Sequence, residues 1–170
     1  VASNADIVHS YRDLLQASPR GRREARRLTR KRFSPSLFVV HFGVRGVFPH
    51  IPHHMILFGP RYRGLLDDIY TRGVLAEDFS LYLHHPSATD PGMAPEGCST
   101  FYALAPVGHL GRLAADWSVE GPRFASRILD EVARRIGAPD LKDRIVTQFH
   151  YAPPDFAHDL NAHLGSAFSL

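Results

Sequence analysis

The apolar run at residues 36–43, which reads Ser-Leu-Phe-Val-Val-His-Phe-Gly, constrains the fold more than any other feature. β-Branched and aromatic side chains favour a strand, and here they fill both alternating sets of positions. A strand with one solvated face would alternate apolar and polar residues, so this run predicts a strand that is buried on both faces. The chain must therefore place other structure on both sides of the sheet that contains it.

Further strands and helices are predicted around this run. Shorter β-branched and aromatic runs indicate strands at residues 54–59, 79–84, 100–105 and 145–151. Helical spacing of apolar residues indicates helices at residues 6–16, 60–69, 122–136 and 153–160. Nowhere in the sequence does a predicted strand lead through a glycine-rich turn into a helix, which is the pattern of a parallel β-α-β unit. We therefore predict an α+β fold, with a mixed, largely antiparallel sheet and helices packed on it.

The helix at residues 122–136 has the clearest pattern. Pro122 suits the first position of a helix, and Gly137 suits the position just after its last turn. Five apolar side chains share one stripe, and they are Phe124, Ile128, Leu129, Val132 and Ile136. Burial of this stripe contributes roughly 8–15 kcal/mol before the entropy of ordering is subtracted. We expect this helix to cover one face of the sheet.

Positive charge is concentrated in one segment. Residues 20–32 hold eight basic residues and one acid, whereas the whole chain has 20 basic and 17 acidic residues. The segment is predicted to be exposed. Three roles are open for it: a solvated face, a contact with an anionic membrane surface, or a contact with nucleic acid. It lacks interleaved aromatic residues that stack on bases, so we expect no nucleic acid. A membrane contact would use Arg22, Arg23, Arg26, Arg27, Arg30, Lys31 and Arg32.

The single cysteine and the two ends of the chain indicate its setting. Cys98 has no partner for an internal disulfide, which fits a reducing compartment. No apolar run approaches the ~20 residues that a membrane-spanning helix needs. The chain starts without Met and stops on an apolar residue. We expect residues 1–170 to form a single domain within a longer protein.

Residue patterns for metal, nucleophilic or dinucleotide chemistry are weak. Histidines cluster at His50, His53 and His54 and again at His84 and His85, but their spacing matches no common zinc motif. We therefore expect surface or hydrogen-bonded histidines and no metal site. No base accompanies Cys98 in the sequence, and no G-x-G-x-x-G or phosphate-binding loop is present, so this segment is not expected to hold a dinucleotide.

A series of short motifs carries a more specific signal. They begin with Ser3-Asn4-Ala5-Asp6 and Tyr11-Arg12, and continue with Phe38-Val39-Val40-His41-Phe42-Gly43, Ile56-Leu57-Phe58-Gly59-Pro60, Asp78-Phe79-Ser80-Leu81-Tyr82-Leu83-His84, Ala94-Pro95-Glu96-Gly97, Asp116-Trp117 and Gly165-Ser166-Ala167-Phe168. In content and order they resemble the bacterial-type phytoene (carotenoid) desaturases of the flavin amine-oxidoreductase superfamily. The resemblance spans nearly the whole chain and is weakest at the basic segment and residues 123–145.

This resemblance implies a function for the complete enzyme. Members of the family bind FAD through N- and C-terminal segments, which would lie outside residues 1–170, and they introduce double bonds into phytoene or a related acyclic carotene by hydride transfer to the flavin. The chain would then be part of the substrate domain of a two-domain FAD oxidoreductase. We expect a cytoplasmic enzyme peripheral to the inner membrane, and an isolated segment that is inactive and does not bind FAD.

The resemblance also implies an apolar tunnel, because the substrate is a long hydrocarbon. Candidate lining residues are Phe38, Val40, Phe42, Phe79, Leu81, Leu83, Phe101, Ala103, Phe156 and Phe168, and plain core packing is the alternative for each. No catalytic acid or base is assigned, and the polar positions to test are Asp155, Asn161 and Ser166. Two other functions stay open: a related flavoenzyme with another substrate, such as an amine, or a free-standing module that binds anionic surfaces.

Overall fold

A computed structural model describes residues 2–170 and contains one five-stranded sheet. The strands are β1 (Ser36–Arg45), β2 (His54–Leu57), β3 (Leu81–His84), β4 (Cys98–Val107) and β5 (Ile145–Tyr151). Their order across the sheet is β2-β3-β4-β1-β5, and all four pairings are antiparallel. The predicted α+β class and its largely antiparallel sheet are confirmed.

Five helices accompany the sheet. They are α1 (Ile7–His9), α2 (Pro19–Leu28), α3 (Tyr62–Asp67), α4 (Trp117–Arg135) and α5 (Pro153–Asp159). α1 and α3 each continue into a π-helical turn, at Ser10–Leu14 and Asp68–Arg72. The predicted helix at residues 6–16 is therefore present as one α-helical turn followed by a wider one.

The core lies between the sheet and α4. β1 places Phe38, Val40 and Phe42 on the face that α4 covers, and all three are buried. From the helix, Phe124 and Ile128 enter the same cluster, and the Phe124 ring lies edge-on to that of Phe38 at 5.1 Å. Each such apolar side chain contributes about 1.5–3 kcal/mol when it leaves water. The predicted stripe of the helix is thus the surface that packs on the sheet.

The helix α4 begins at Trp117, five residues before the start that the sequence pattern predicts. Asp116 caps it, because its carboxylate accepts a hydrogen bond from the Ser118 amide at 3.1 Å. Pro122 consequently lies inside the helix, where its missing N–H forfeits one backbone hydrogen bond. The preceding Gly121 is needed for close packing, because a Cβ there would lie 2.8 Å from His150 Nε2.

A smaller cluster holds the N-terminal helices against the end of the chain. Val8, Leu28 and Phe33 form it, and Leu164 packs on its edge.

In the π-helical turn after α3, the carboxylate of Asp68 is only 4% exposed. It binds two guanidinium groups, those of Arg61 at 3.2 Å and Arg72 at 2.7 Å.

Candidate functional site

The sheet surface opposite α4 differs from the core face in being only partly covered. Along β4, side chains alternate strictly between buried and half-buried, and the half-buried set points away from α4. On β5 the outward residues are more open, and Phe149 is 55% exposed. We call this surface the open face.

A line of ring side chains crosses the open face from one edge strand to the other. Register places one ring on each strand, in the order Phe149 (β5), His41 (β1), Tyr102 (β4), His84 (β3) and His54 (β2). We call these five side chains the aromatic row. Its members belong to positions far apart in the sequence, and the strand pairing brings them into one continuous line.

Adjacent rings in the aromatic row are in contact. The rings of His41 and Phe149 are stacked with their centres 4.7 Å apart, and the His41 and Tyr102 centres are 5.4 Å apart. Tyr102 meets His84 edge-on at 4.6 Å, and His84 lies parallel to His54 at 5.1 Å. Ring pairs at these separations attract one another through their quadrupoles in addition to area burial. The row therefore forms one continuous strip of rings.

The electrostatic setting favours uncharged rings along this row. Burial lowers the pKa of His41, and burial followed by the neighbouring histidines lowers the pKa of His84. Burial and a hydrogen bond with Tyr82 raise the pKa of Tyr102. Near pH 7 these three groups are neutral, which suits contact with an apolar molecule.

A groove of about 310 Å³ lies on the open face beside the aromatic row. Its walls are formed by Phe149 and Thr147 of β5, by Thr100 of β4, and by the loop at residues 93–95. Gly43 lies in the groove, opposite Thr100 in the strand register, and contributes no side chain. Most of the groove surface is apolar, so it fits a hydrocarbon better than a charged ligand.

Comparison with known proteins supplies the family. No family model matches the chain. All 170 residues align with a phytoene desaturase (lycopene-forming) of Paracoccus sp. at 55% identity, and with that of Pseudescherichia vulneris at 52%. A neurosporene-forming phytoene desaturase of Rhodobacter capsulatus is 40% identical over the same residues. The chain is a segment of the bacterial phytoene desaturase family. It spans about a third of the length of these relatives, 34% for the first two.

Within the segment, most predicted tunnel residues lie in the core under α4. Phe38, Val40, Phe42, Phe79, Leu81, Leu83, Phe101 and Ala103 are all buried there. Phe38, for example, stacks on Trp117 and on His150. Whether any of them also lines a tunnel in the complete enzyme stays a prediction.

The other two predicted lining residues lie near the C-terminal end. Phe156 of α5 is half-buried, and its ring lies edge-on to Tyr151 at 6.0 Å. Phe168 is 68% exposed and lines a second groove together with Tyr62 and Tyr70. These two residues therefore do not join the groove on the open face.

The three polar candidates have distinct surroundings. Asp155 acts as a helix cap, because its carboxylate accepts a hydrogen bond from the Ala152 amide at 2.7 Å. Asn161 adopts a left-handed backbone with φ of 51° and is exposed. Ser166 is buried, and its hydroxyl has no hydrogen-bond partner within residues 2–170. A catalytic role for any of them stays a prediction.

The segment offers no cradle for the pyrophosphate of a dinucleotide such as FAD. Phosphate binding of that kind uses a glycine-rich turn between a parallel strand and a helix. Within residues 2–170 every strand pairing is antiparallel, and no strand leads through such a turn into a helix. The residues described here therefore do not fit the phosphate end of this cofactor.

The basic segment forms an exposed surface on α2 and the turn after it. Arg22, Arg23, Arg26, Arg27, Arg30 and Lys31 line one shallow depression. Glu24 pairs with Arg27 at 2.7 Å and neutralises part of the charge.

In the described part of the chain, no helix has the length and apolar composition needed to cross a membrane.

Sequence reasoning did not find the open face or the convergence of histidines at its edge. His53, His54 and His84 each bring one ring nitrogen within 4.8 Å of the others. The sequence showed the two histidine pairs but not that β2 lies beside β3. That pairing decides which histidines meet, and it joins residues that are distant in the sequence.

Proposed function

We propose that this chain is the substrate-side sheet of an FAD-dependent carotenoid desaturase that introduces double bonds into phytoene or a related acyclic carotene. The relatives' names support a carotenoid, since they include forms that act on phytoene, zeta-carotene and 4,4'-diapophytoene. They favour this substrate class over an amine. They also favour an enzyme over a free-standing module that binds anionic surfaces.

The aromatic row on the open face is the observation that carries the proposal. A linear polyene has no polar handle, so an enzyme recognises it by shape and by dispersion contacts along its length. Three members of the row, Phe149, His41 and Tyr102, offer a strip of rings across the adjacent strands β5, β1 and β4, and strands in a sheet lie about 4.8 Å apart. The groove beside His41 and Phe149 then receives part of the hydrocarbon.

FAD supplies the hydride acceptor in this proposal and is held by parts of the enzyme other than residues 2–170. The residues of this chain bind and orient the hydrocarbon and keep water from it. Contact with an apolar sheet surface limits rotation of an extended polyene, which favours presentation of one bond at a time.

The decisive experiment fills the groove without disturbing the core. Thr100 is half-buried on the open face, so Thr100→Phe in the full-length enzyme adds a ring inside the groove. We expect the ratio of partly to fully desaturated carotenoid to rise, with a change in stability within about 0.5 kcal/mol. Product analysis by chromatography and thermal unfolding measure the two quantities.

A matched substitution at an exposed threonine provides the control. Thr71→Phe places the same ring in the π-helical turn after α3, away from the groove. We expect its products to match those of the unmodified enzyme. Identical product ratios for the two variants would refute the assignment of the open face to the substrate.

We also propose that the basic surface of α2 contacts an anionic membrane, which places the enzyme at the cytoplasmic side of the inner membrane as a peripheral protein. Each basic residue near such a surface adds about 1 kcal/mol of attraction. Leu14 and Leu15 precede α2 and are 70% and 48% exposed, so they supply apolar contact next to the positive charge. This combination is typical of segments that lie in a membrane interface.

Vesicle sedimentation tests this contact. Arg26→Glu should reduce binding to vesicles that contain anionic lipid, and added salt should weaken binding of the unmodified protein. Arg63→Glu, at an exposed position of α3, is the control. Its binding to anionic vesicles should be closer to that of the unmodified protein than the binding of Arg26→Glu is. Equal binding to neutral and anionic vesicles would contradict the proposal.

A further inference from the structure

The β2–β3 edge of the open face brings three histidines together. His54 lies directly opposite His84 in the register of the two strands, and their rings are nearly parallel at 5.1 Å. His53, the residue before β2, places its Nε2 atom 2.7 Å from the Nε2 atom of His84. The three imidazoles come from two strand segments and converge on one point.

The backbone around this point is fixed by hydrogen bonds. The His85 amide donates to the carbonyl of His53 at 2.8 Å, and this extends the pairing of β2 and β3 by one residue. The ring of His85 is buried, and its Nδ1 atom lies 3.1 Å from the carbonyl of Ile51. The convergence therefore rests on paired strands, which hold side-chain geometry more closely than a loop does.

Two of the three rings are held by a hydrogen bond at Nδ1, and for His54 the partner is the hydroxyl of Tyr82. The Nδ1 atom of His53 is hydrogen-bonded to the hydroxyl of Thr89, in the turn that follows β3. With Nδ1 donating to that oxygen, Nε2 carries the lone pair and faces His84. A hydrogen bond behind the ring, with the free nitrogen facing other ligands, is the usual arrangement of a metal-binding histidine.

We propose that His53, His54 and His84 form a site for a divalent transition metal ion of the zinc, cobalt or nickel type. Imidazole nitrogens suit these ions, whereas magnesium and calcium prefer oxygen ligands. Three histidine ligands leave a further coordination position open to water. The site lies at the end of the aromatic row and does not depend on the identity of the substrate.

A small movement and the transfer of one proton admit the ion, because His84 Nε2 donates to His53 in the present contact and must carry a lone pair, with the proton on Nδ1, to bind a metal. Metal–nitrogen bonds of about 2.0–2.1 Å in tetrahedral geometry place ligand nitrogens ~3.3 Å apart. The His53 and His84 nitrogens must therefore separate by about half an ångström from their present contact. His53 and His84 are half-buried and His54 is exposed, so side-chain rotation provides this freedom and the ion can enter from solvent.

Metal titration of the full-length protein, purified and stripped with a chelator, tests the site. We expect Zn²⁺ to bind at one equivalent in competition with a chromophoric chelator, and Co²⁺ to give the visible absorption of a four-coordinate ion. His54→Gln should weaken Zn²⁺ binding by at least ~10-fold and remove the Co²⁺ band. Thr89→Val, which removes only the orienting hydroxyl, should weaken binding by about 10-fold while keeping the stoichiometry.

Two further variants keep the test decisive. His158→Gln changes an exposed histidine of α5 outside the cluster, and it should bind Zn²⁺ like the unmodified protein. The second variant, His84→Gln, removes a half-buried ligand of the site. If it unfolds the protein, circular dichroism shows this, and the variant of the exposed His54 remains the test of the site. Absence of a one-equivalent site would overturn the proposal. So would Zn²⁺ affinity that is unchanged in His54→Gln, or that falls equally in His158→Gln.

Discussion

Replacement of Val40 by phenylalanine distinguishes core packing from a substrate tunnel at the centre of the sheet. Val40 is 1% exposed and lies between Phe38 and Phe42 on the face that α4 covers. Its partners on the neighbouring strands are Ala103, which is fully buried, and His150. A phenyl ring at this position would have to displace α4 or force its neighbours into strained rotamers.

Overpacking of this kind costs about 1–3 kcal/mol of unfolding free energy. In a cooperative unit of 170 residues each kcal/mol lowers the melting temperature by about 2–4 °C, so the expected drop is about 2–12 °C in such a unit and smaller in the longer full-length enzyme. The assay is thermal unfolding of the full-length enzyme, followed by circular dichroism and paired with the ratio of partly to fully desaturated products.

Val39→Phe is the control on the opposite face of the same strand. Val39 is itself only 7% exposed, but Leu104 and Tyr151 beside it are half-buried, so its surroundings can yield more easily than those of Val40 and the loss of stability should be smaller. The reasoning fails if Val40→Phe leaves the melting temperature unchanged while it shifts the product ratio. That result would place a cavity beside Val40 and restore the tunnel hypothesis for its face.

Three further substitutions test individual contacts. Asp68→Ala should lower the unfolding free energy by about 1–3 kcal/mol in urea titrations, because it removes the buried carboxylate that joins two half-exposed arginines. Hydrogen bonds from Ser118 lower the pKa of Asp116, so its contribution to stability is present at neutral pH and is lost as the pH falls through the lowered pKa. Asp116→Asn should therefore show a smaller loss of stability between about pH 7 and pH 3 than the unmodified protein. Gly121→Ala should cost about 1–3 kcal/mol, since the added methyl group meets the ring of His150, and an unchanged unfolding midpoint would contradict this close contact.

Local pattern was sufficient to predict most elements of the fold. The strand at residues 145–151 matches β5, and the run at residues 36–43 lies within β1. These predictions succeeded because the signals for a strand, which are side-chain shape and the two-residue alternation of side chains, are local in the sequence. The start of α4 was missed because Pro122 resembled a first helical residue, whereas the helix begins five residues earlier, directly after the Asp116 cap.

The candidate site was much less predictable. Alternation along β1 separated Phe38, Val40 and Phe42 from Val39 and His41 correctly, but it could not say which set α4 covers. That choice depends on contacts between residues distant in the sequence, such as Phe38 with Phe124. The aromatic row likewise requires the order of all five strands, which no local signal provides.

The strand order also has a consequence for biosynthesis. β1 is made before both of its partners, β4 and β5, so Val40 meets Ala103 and then His150 only after long stretches of intervening chain. At about 5–20 residues per second on the ribosome, the most apolar strand waits on the order of ten seconds for its last neighbour. During that interval it resembles the aggregation-prone segments that chaperones bind. Slowing translation between β1 and β4 would lengthen this exposure, and more of the newly made protein would then depend on chaperones to reach the folded state.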